Sequence, residues 1–140
     1  MKALLDTCVI SELISKQPNP KVIEYVDSLD LEDVYLSVIT IGEIVKGIEK
    51  LSRPRRKTDL QAWLKDDLLV RFEGNIVALD TDVLIEWGTL TARLESTGKA
   101  MPAIDSLIAA TALAKKMILV TRNVSDFATT TTVDILNPWE

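Results

Sequence analysis

Histidine is absent from the 140 residues of this chain, and cysteine occurs once, at Cys8. Without histidine the chain has no serine–histidine triad, no cysteine–histidine pair and no histidine metal site. A single cysteine excludes a disulfide within the chain and a zinc site built from cysteines. Any catalysis must therefore use carboxylates, lysine, tyrosine or a bound metal ion.

Long apolar runs and export signals are also missing. The longest apolar stretches fall far short of the ~20 residues that cross a bilayer. The start MKALLD lacks the apolar region and small-residue cleavage site of a secretory signal. A hydrophobic content of 47% nevertheless excludes a disordered chain. We expect one domain over residues 1–140, soluble and cytoplasmic, with no membrane contact.

Segments with strand character alternate with segments of helical spacing. The predicted strands are ALL near the start, VYLSVI, NIVALD and ILVT, with VDIL as a candidate fifth. Between them, TCVISELIS, PKVIEYVDSL, TIGEIVKGIEKL, the segment 53–72, TDVLIEWGTLTARLES and IDSLIAATALAKKM are predicted helices. Asn19 is the predicted cap before Pro20, and Asp80 or Thr81 the cap of a later helix. This alternation predicts an α/β fold with a mainly parallel sheet of four to five strands, covered on both faces.

Four acids stand at the predicted junctions of these elements. Asp6 ends the first strand, and Glu43 lies in the predicted first turn of the helix after the second strand. Asp105 opens the buried helix, and Asp126 lies in the predicted loop after the fourth strand. Because parallel strands end at one edge of the sheet, where ligands gather, we expect these acids to share a pocket.

Each acid taken alone has a simpler structural explanation. Asp6 and Asp105 could be helix caps, Thr40 and Glu43 match a capping box, and Asp126 could be a turn residue. Together, however, two carboxylates ~4 Å apart repel by about 4 kcal/mol at an effective dielectric near 20, so four in one cleft require protons or cations. Mg²⁺ suits such oxygen ligands and also accepts phosphate oxygens, and Mn²⁺ uses similar ligands. The predicted chemistry is metal-assisted phosphodiester hydrolysis.

Four stretches carry a resemblance that spans essentially the whole chain: LLDTCVISEL, VYLSVITIGEIVKGIEKL, IDSLIAATALAKKMILVTRNVSDF and ILNPWE. They resemble a PIN-domain ribonuclease of the VapC toxin family, close to its FitB-like branch. The resemblance implies a three-layer α/β/α domain and a Mg²⁺- or Mn²⁺-dependent endoribonuclease of a type II toxin–antitoxin module. It also implies a homodimer and a cognate VapB-like antitoxin, commonly DNA-binding, whose C-terminal segment blocks the acidic pocket.

The resemblance also assigns roles by position. The family's three principal acids are matched by Asp6, Glu43 and Asp105. Its fourth acid is matched by Asp126, although some relatives place it at the position of Asn123. Thr121 matches a hydroxyl that helps to orient the site, whereas Cys8 replaces the family's usual asparagine.

Candidate RNA contacts come from two places. The acidic net charge of −5 argues against non-specific adhesion to nucleic acid, but the segment KLSRPRRK concentrates positive charge. It could guide RNA phosphates or be a solvated surface, and we keep both interpretations. Arg122 either contacts substrate or pairs with a nearby acid, the second being slightly favoured. The candidate substrate-binding residues are Arg53, Arg55, Arg56, Arg122 and Asn123.

Other functions fit less well. A haloacid-dehalogenase-like phosphatase needs a second aspartate where Cys8 stands. A receiver domain expects paired early acids and a lysine where Arg122 and Asn123 stand. A catalytically silent PIN fold that only binds an antitoxin is the alternative from another functional class.

Overall fold

The computed structural model describes residues 1–128 and 131–140, and in these residues five strands form one parallel sheet. The strand order is β3, β2, β1, β4, β5, and each neighbouring pair is parallel. The strands are β1 (Ala3–Leu5), β2 (Val34–Ser37), β3 (Ile76–Val77), β4 (Ile118–Val120) and β5 (Ile135–Leu136). The predicted parallel sheet is confirmed, including the fifth strand from VDIL.

Helices connect the strands, and local signals set where several of them begin. Asn19 Oδ1 accepts from Lys21 N at the start of α2, with Pro20 as the first helical residue. Of the two caps proposed for α6, the structure uses Asp80, whose Oδ1 accepts from Val83 N. The helices are α1 (Thr7–Leu13), α2 (Pro20–Asp27), α3 (Val38–Glu49), α4 (Pro54–Trp63), α5 (Leu69–Arg71), α6 (Thr81–Ser96), α7 (Ala103–Lys115) and α8 (Val124–Ala128). A 3₁₀ turn (Leu31–Asp33) precedes β2, and a π-helical segment (Leu64–Leu68) joins α4 to α5.

Apolar side chains on both faces of the sheet form the predicted three layers. In β1, Leu5 faces a core with residues of α1 to α4, whereas Leu4 faces the opposite core with residues of α6 to α8. In β4, Val120 packs in the same core as Leu5, and Leu119 packs in the same core as Leu4. This period-two alternation with apolar side chains on both faces is what a parallel strand covered on both sides requires.

Three predicted boundaries were wrong, and one of them changes the site. The strand VYLSVI ends at Ser37, because Ser37 Oγ accepts from Ile39 N and caps α3. The capping box of Thr40 and Glu43 therefore does not exist, and Glu43 lies in the second turn of α3 rather than the first. The strand NIVALD shortens to β3, and Asp126 lies in α8 rather than in a loop.

The strand order creates a crevice at the carboxyl edge of the sheet. β1 pairs with β2 on one side and with β4 on the other. The order in which strands are added to the sheet therefore reverses direction at β1. In open α/β sheets this switch point, beyond the carboxyl ends of the strands, is where ligands bind. Within the described residues, no helix has the length and apolar character needed to span a membrane.

Candidate active site

Asp6 lies at this switch point, directly after β1 and at the start of α1, and only 7% of it is exposed. Its backbone N–H donates to Val120 O at 2.9 Å, which fixes it beside β4. Its Oδ1 accepts from Thr7 N at 2.8 Å, and its Oδ2 accepts from Thr121 Oγ1 at 2.8 Å. Asp6 is therefore the cap of α1, as the simpler explanation predicted, while its role in a metal site stays a prediction.

Thr121 follows β4 and is fully buried. Besides donating to Asp6, its hydroxyl oxygen accepts from Asn123 N at 3.1 Å. This arrangement fits the orienting role that the resemblance implies for Thr121. Asn123 is exposed, and its backbone N–H is the group that contacts the Thr121 hydroxyl.

Glu43 reaches the site from α3. Thr7 Oγ1 donates to Glu43 Oε1 at 2.6 Å, so the residue after Asp6 bonds the second predicted acid. Thr40 Oγ1 lies 3.0 Å from the same Thr7 hydroxyl. Thr7 thus connects Asp6, through its backbone, with Glu43, through its side chain.

Asp105 is the third residue of α7 and is half-buried. Pro102 precedes α7 without a side-chain cap bond, so the prediction of a capping role for Asp105 is wrong. Within the described part of the chain, the Asp105 carboxylate has no hydrogen-bond or ion-pair partner. Burial raises its pKa, and the charges of Asp6, Asp126 and Glu43 raise it further. The charges of the other three predicted acids therefore act on Asp105.

The donor set suits a hard divalent cation, although it is not a closed cage. Among residues 1–128 and 131–140, no three Asp, Glu, Cys or His side chains are close enough to hold a metal ion by themselves. Mg²⁺ commonly uses only one or two protein carboxylates and keeps several waters. The oxygen ligands, the negative charge around Asp105 and its lack of a cationic partner fit Mg²⁺ or Mn²⁺.

Cys8, which stands where the family usually has asparagine, lies beside Asp6 and Thr121. Its Sγ is 3.7 Å from Asp6 Oδ2 and 3.7 Å from Thr121 Oγ1. Burial raises the pKa of the Cys8 thiol, and the Asp6 charge adds to this increase. A protonated thiol at this position donates weakly to Asp6 and cannot supply the two donors of an asparagine amide.

The basic segment contains residues with different environments. Arg53 and Arg55 are exposed, and their side chains make no hydrogen bond or ion pair within the described residues. Arg56 instead donates from Nη2 to Ile14 O at 2.6 Å, and Lys57 pairs with Glu49 at 3.6 Å. Arg56 therefore ties α4 to the end of α1, a structural contact that the predicted substrate role did not include.

Within residues 1–128 and 131–140, Arg122 does not make the ion pair with a nearby acid that the sequence slightly favoured. Its guanidinium lies 5.3 Å from the centre of the Trp139 ring. Trp139 Nε1 donates to Glu12 Oε1 at 3.3 Å, and Glu12 Oε2 accepts from Asn19 N at 2.9 Å. The C-terminal tryptophan thus holds Arg122, which is exposed and directly follows Thr121.

Sequence reasoning missed the contribution of Thr7 and of Trp139. Thr7 follows an acid that ends a strand, and a hydroxyl next to such an acid is a signal that could have been used. For Trp139 the sequence offered only an apolar residue near the chain end. Its contacts join residues far apart in sequence, which a local pattern does not reveal.

A parallel α/β domain with acids at the carboxyl edge of its sheet is the class that fold and site define, and comparisons with known proteins agree. The PIN domain family model matches residues 3–130. The chain is 38% identical to Toxin FitB of Neisseria gonorrhoeae, over 97% of each chain. It is 35% identical to VapC ribonuclease Y4jK of Sinorhizobium fredii, over 98% of this chain and 97% of that protein. A solved structure of FitAB bound to an IR36 DNA fragment has a TM-score of 0.91 at 38% identity, covering 99% of this chain and 96% of the other.

The chain therefore belongs to the PIN-domain family, in the branch of VapC and FitB toxins. This confirms the resemblance and the α/β/α fold inferred from the sequence.

Proposed function

We propose that this chain is a Mg²⁺-dependent endoribonuclease toxin of a type II toxin–antitoxin module, with Mn²⁺ as an alternative ion. The observation that carries the proposal is the convergence of the Asp6, Glu43 and Asp126 charges on Asp105, which has no cation beside it in the described residues. Membership of a branch whose members are named toxins and ribonucleases supports the reaction.

The acids and the hydroxyls have separate roles in this proposal. Asp6, Glu43, Asp105 and Asp126 are the proposed ligands of the ion, one or two of them directly and the others through the water molecules that Mg²⁺ keeps. When bound, such an ion lowers the pKa of a water molecule and stabilises negative charge on a phosphate. Thr121 and the backbone of Thr7 hold the Asp6 carboxylate in one orientation before substrate arrives.

The exposed cations would contact the RNA backbone. Arg53 and Arg55 are available for phosphates, whereas Arg122 is held over Trp139 beside Thr121. Such contacts are electrostatic and weaken as salt rises. Every RNA presents the same phosphodiester, so the choice of RNA would depend on how well the fold of that RNA places its phosphates against these arginines.

The test uses purified chain without any partner protein, incubated with single-stranded RNA. Wild type should cleave with Mg²⁺ or Mn²⁺ and stop when EDTA is added. Asp6→Asn and Asp105→Asn should remain folded and lose cleavage, whereas Asp59→Asn, an exposed acid on α4, should cleave as wild type does. If folded wild type cleaves no RNA with either ion, the catalytically silent binding function replaces this proposal.

A groove beside Glu43 supports the proposed antitoxin. It has a volume of about 130 Å³ and lies between α1, α3 and α4. Its lining is mostly apolar, with Glu43 as its acid, and includes Ile14, Ile44, Ile48, Leu51 and Leu60. An antitoxin segment with apolar side chains and one cation would fit this lining and cover the acidic pocket. The FitAB structure on DNA makes a DNA-binding partner the expectation here.

The proposed homodimer would cover apolar side chains near the start of α6. Ile85 is 63% exposed, and Leu79 and Leu84 are also exposed beside it. Exposed apolar patches of this kind commonly mark association sites. Ile85→Glu should convert the dimer to a monomer in light scattering, and an unchanged mass would exclude this face.

A further inference from the structure

We propose that Thr40 and Thr7 form a hydroxyl relay that positions Glu43, which makes Thr7 and Thr40 positioning residues of the acidic site. The order of donors follows from the number of protons available. Thr7 Oγ1 has a single proton, and it donates this proton to Glu43 Oε1 at 2.6 Å. The Thr7 oxygen then accepts from Thr40 Oγ1 at 3.0 Å.

These hydroxyls differ from other threonine hydroxyls in the helices. Thr58, Thr89, Thr91 and Thr111 each donate to the carbonyl four residues earlier, which satisfies the hydroxyl within its own helix. Thr40, although fully buried within α3, contacts Thr7 at the start of α1 instead. The pair therefore joins two helices at the acidic edge of the sheet.

The relay restricts a side chain that would otherwise be free to rotate. Glu43 extends from the second turn of α3, and fixing a half-buried glutamate in one rotamer is entropically unfavourable. The hydrogen bond to Oε1 fixes the carboxylate and leaves Oε2 without a bond inside the described residues. Partners that orient a ligating carboxylate typically change metal affinity by about 10–100-fold when removed.

The inference rests on the proposed function, because it concerns the affinity of the same acids for a divalent ion. The readout is therefore Mn²⁺ binding without RNA, followed by electron paramagnetic resonance, with thermal denaturation measured in parallel in EDTA. The variants are Thr7→Val, Thr7→Ser, Thr40→Val and the double variant Thr7→Val with Thr40→Val. Thr91→Val is the matched control, since the Thr91 hydroxyl bonds only its own helix.

The double variant separates positioning from stability. Thr7→Val leaves the buried Thr40 hydroxyl without its partner, which destabilises the fold. Removing both hydroxyls eliminates that unpaired group, so much of the stability should return. Mn²⁺ affinity should stay about 10–100-fold below wild type in both variants, because neither restores a donor to Glu43. Thr7→Ser, which keeps the hydroxyl, should stay close to wild type, and Thr40→Val should lose less affinity than Thr7→Val.

Two results would overturn the inference, and they differ from each other. If the double variant regains affinity together with stability, or if Thr7→Val binds Mn²⁺ as wild type and Thr91→Val do, the hydroxyls are only structural. If wild type itself binds no Mn²⁺ and cuts no RNA, the proposed function fails as well. Should Thr7→Val not fold, the double variant and Thr7→Ser decide the question, because one lacks the hydroxyl and the other retains it.

Discussion

Substitutions of Arg53, Arg55 and Arg56 should distinguish an arginine that stabilises the fold from arginines that bind RNA. Arg56 donates to Ile14 O at 2.6 Å, and Ile14 is the residue at which α1 ends. Arg53 and Arg55 are exposed, and their side chains have no hydrogen bond or ion pair in the described residues. We expect Arg56→Gln to reduce stability, and Arg53→Gln and Arg55→Gln to reduce RNA binding.

The size of the Arg56 effect follows from the contact. Hydrogen bonds to charged groups contribute about 1.5–3 kcal/mol net, and the low end suits a side chain that is only partly buried. For a chain of 140 residues, a loss of about 1.5 kcal/mol lowers Tm by about 6 °C, at about 4 °C per kcal/mol. The exposed arginines should change stability by less than about 0.5 kcal/mol.

The assay combines thermal denaturation with RNA binding at several salt concentrations, in an Asp105→Asn background that prevents cleavage. Each lost phosphate contact should reduce the slope of log affinity against log salt by about 0.7. We expect that change for Arg53→Gln and Arg55→Gln. If Arg56→Gln melts within 1 °C or so of its parent and loses RNA affinity as the other two do, the structural role of Arg56 is refuted.

Three further predictions concern the acids and the C-terminus. At 100 times its Kd, Mg²⁺ should stabilise the fold by about 2.7 kcal/mol, and Glu43→Gln should greatly reduce this gain in a melting assay while Asp59→Asn retains it. The raised Asp105 pKa means that the folded chain binds this proton more readily than the unfolded chain, so the group's contribution to stability falls as pH rises from its ordinary value of 3.8 through the folded pKa. Asp105→Asn should therefore gain stability relative to wild type across that window in EDTA, and a flat difference would contradict this. Trp139→Ala should weaken RNA binding about 2–5-fold in fluorescence anisotropy by releasing Arg122, whereas Trp139→Phe, which keeps a ring, should not.

Much of the fold could be predicted because its local and long-range requirements agree. The alternation of apolar strands with helices indicated a parallel sheet, and caps such as Asn19 and Asp80 lie where their side chains suggested. The position of Asp6 followed from the same logic, because parallel strands place the residues that follow them at one edge, whereas Glu43, Asp105 and Asp126 lie within helices. Asp6 needed no information beyond its place after β1.

The contacts of the site residues were harder to predict, because several side chains could serve one local purpose. Ser37 and Thr40 are both good helix caps, and only the end of the strand pairing between β2 and β3 decides for Ser37. That choice moved Glu43 into the second turn and left Thr40 to contact Thr7. Similarly, nothing in the segment 50–57 distinguishes Arg56, because its acceptor belongs to α1.

Capping cannot distinguish a structural acid from a functional one at this edge of the sheet. Helices begin where the strands end, so the same backbone N–H groups that need a cap also orient a carboxylate toward the crevice. Asp6 caps α1 and is at the same time one of the charges that raise the Asp105 pKa. The informative acid is Asp105, since it caps nothing and has no cation or donor beside it in the described residues. Burial and the charges of three other acids disfavour the ionised form of the Asp105 carboxylate. A bound divalent cation is the ligand that would offset this repulsion.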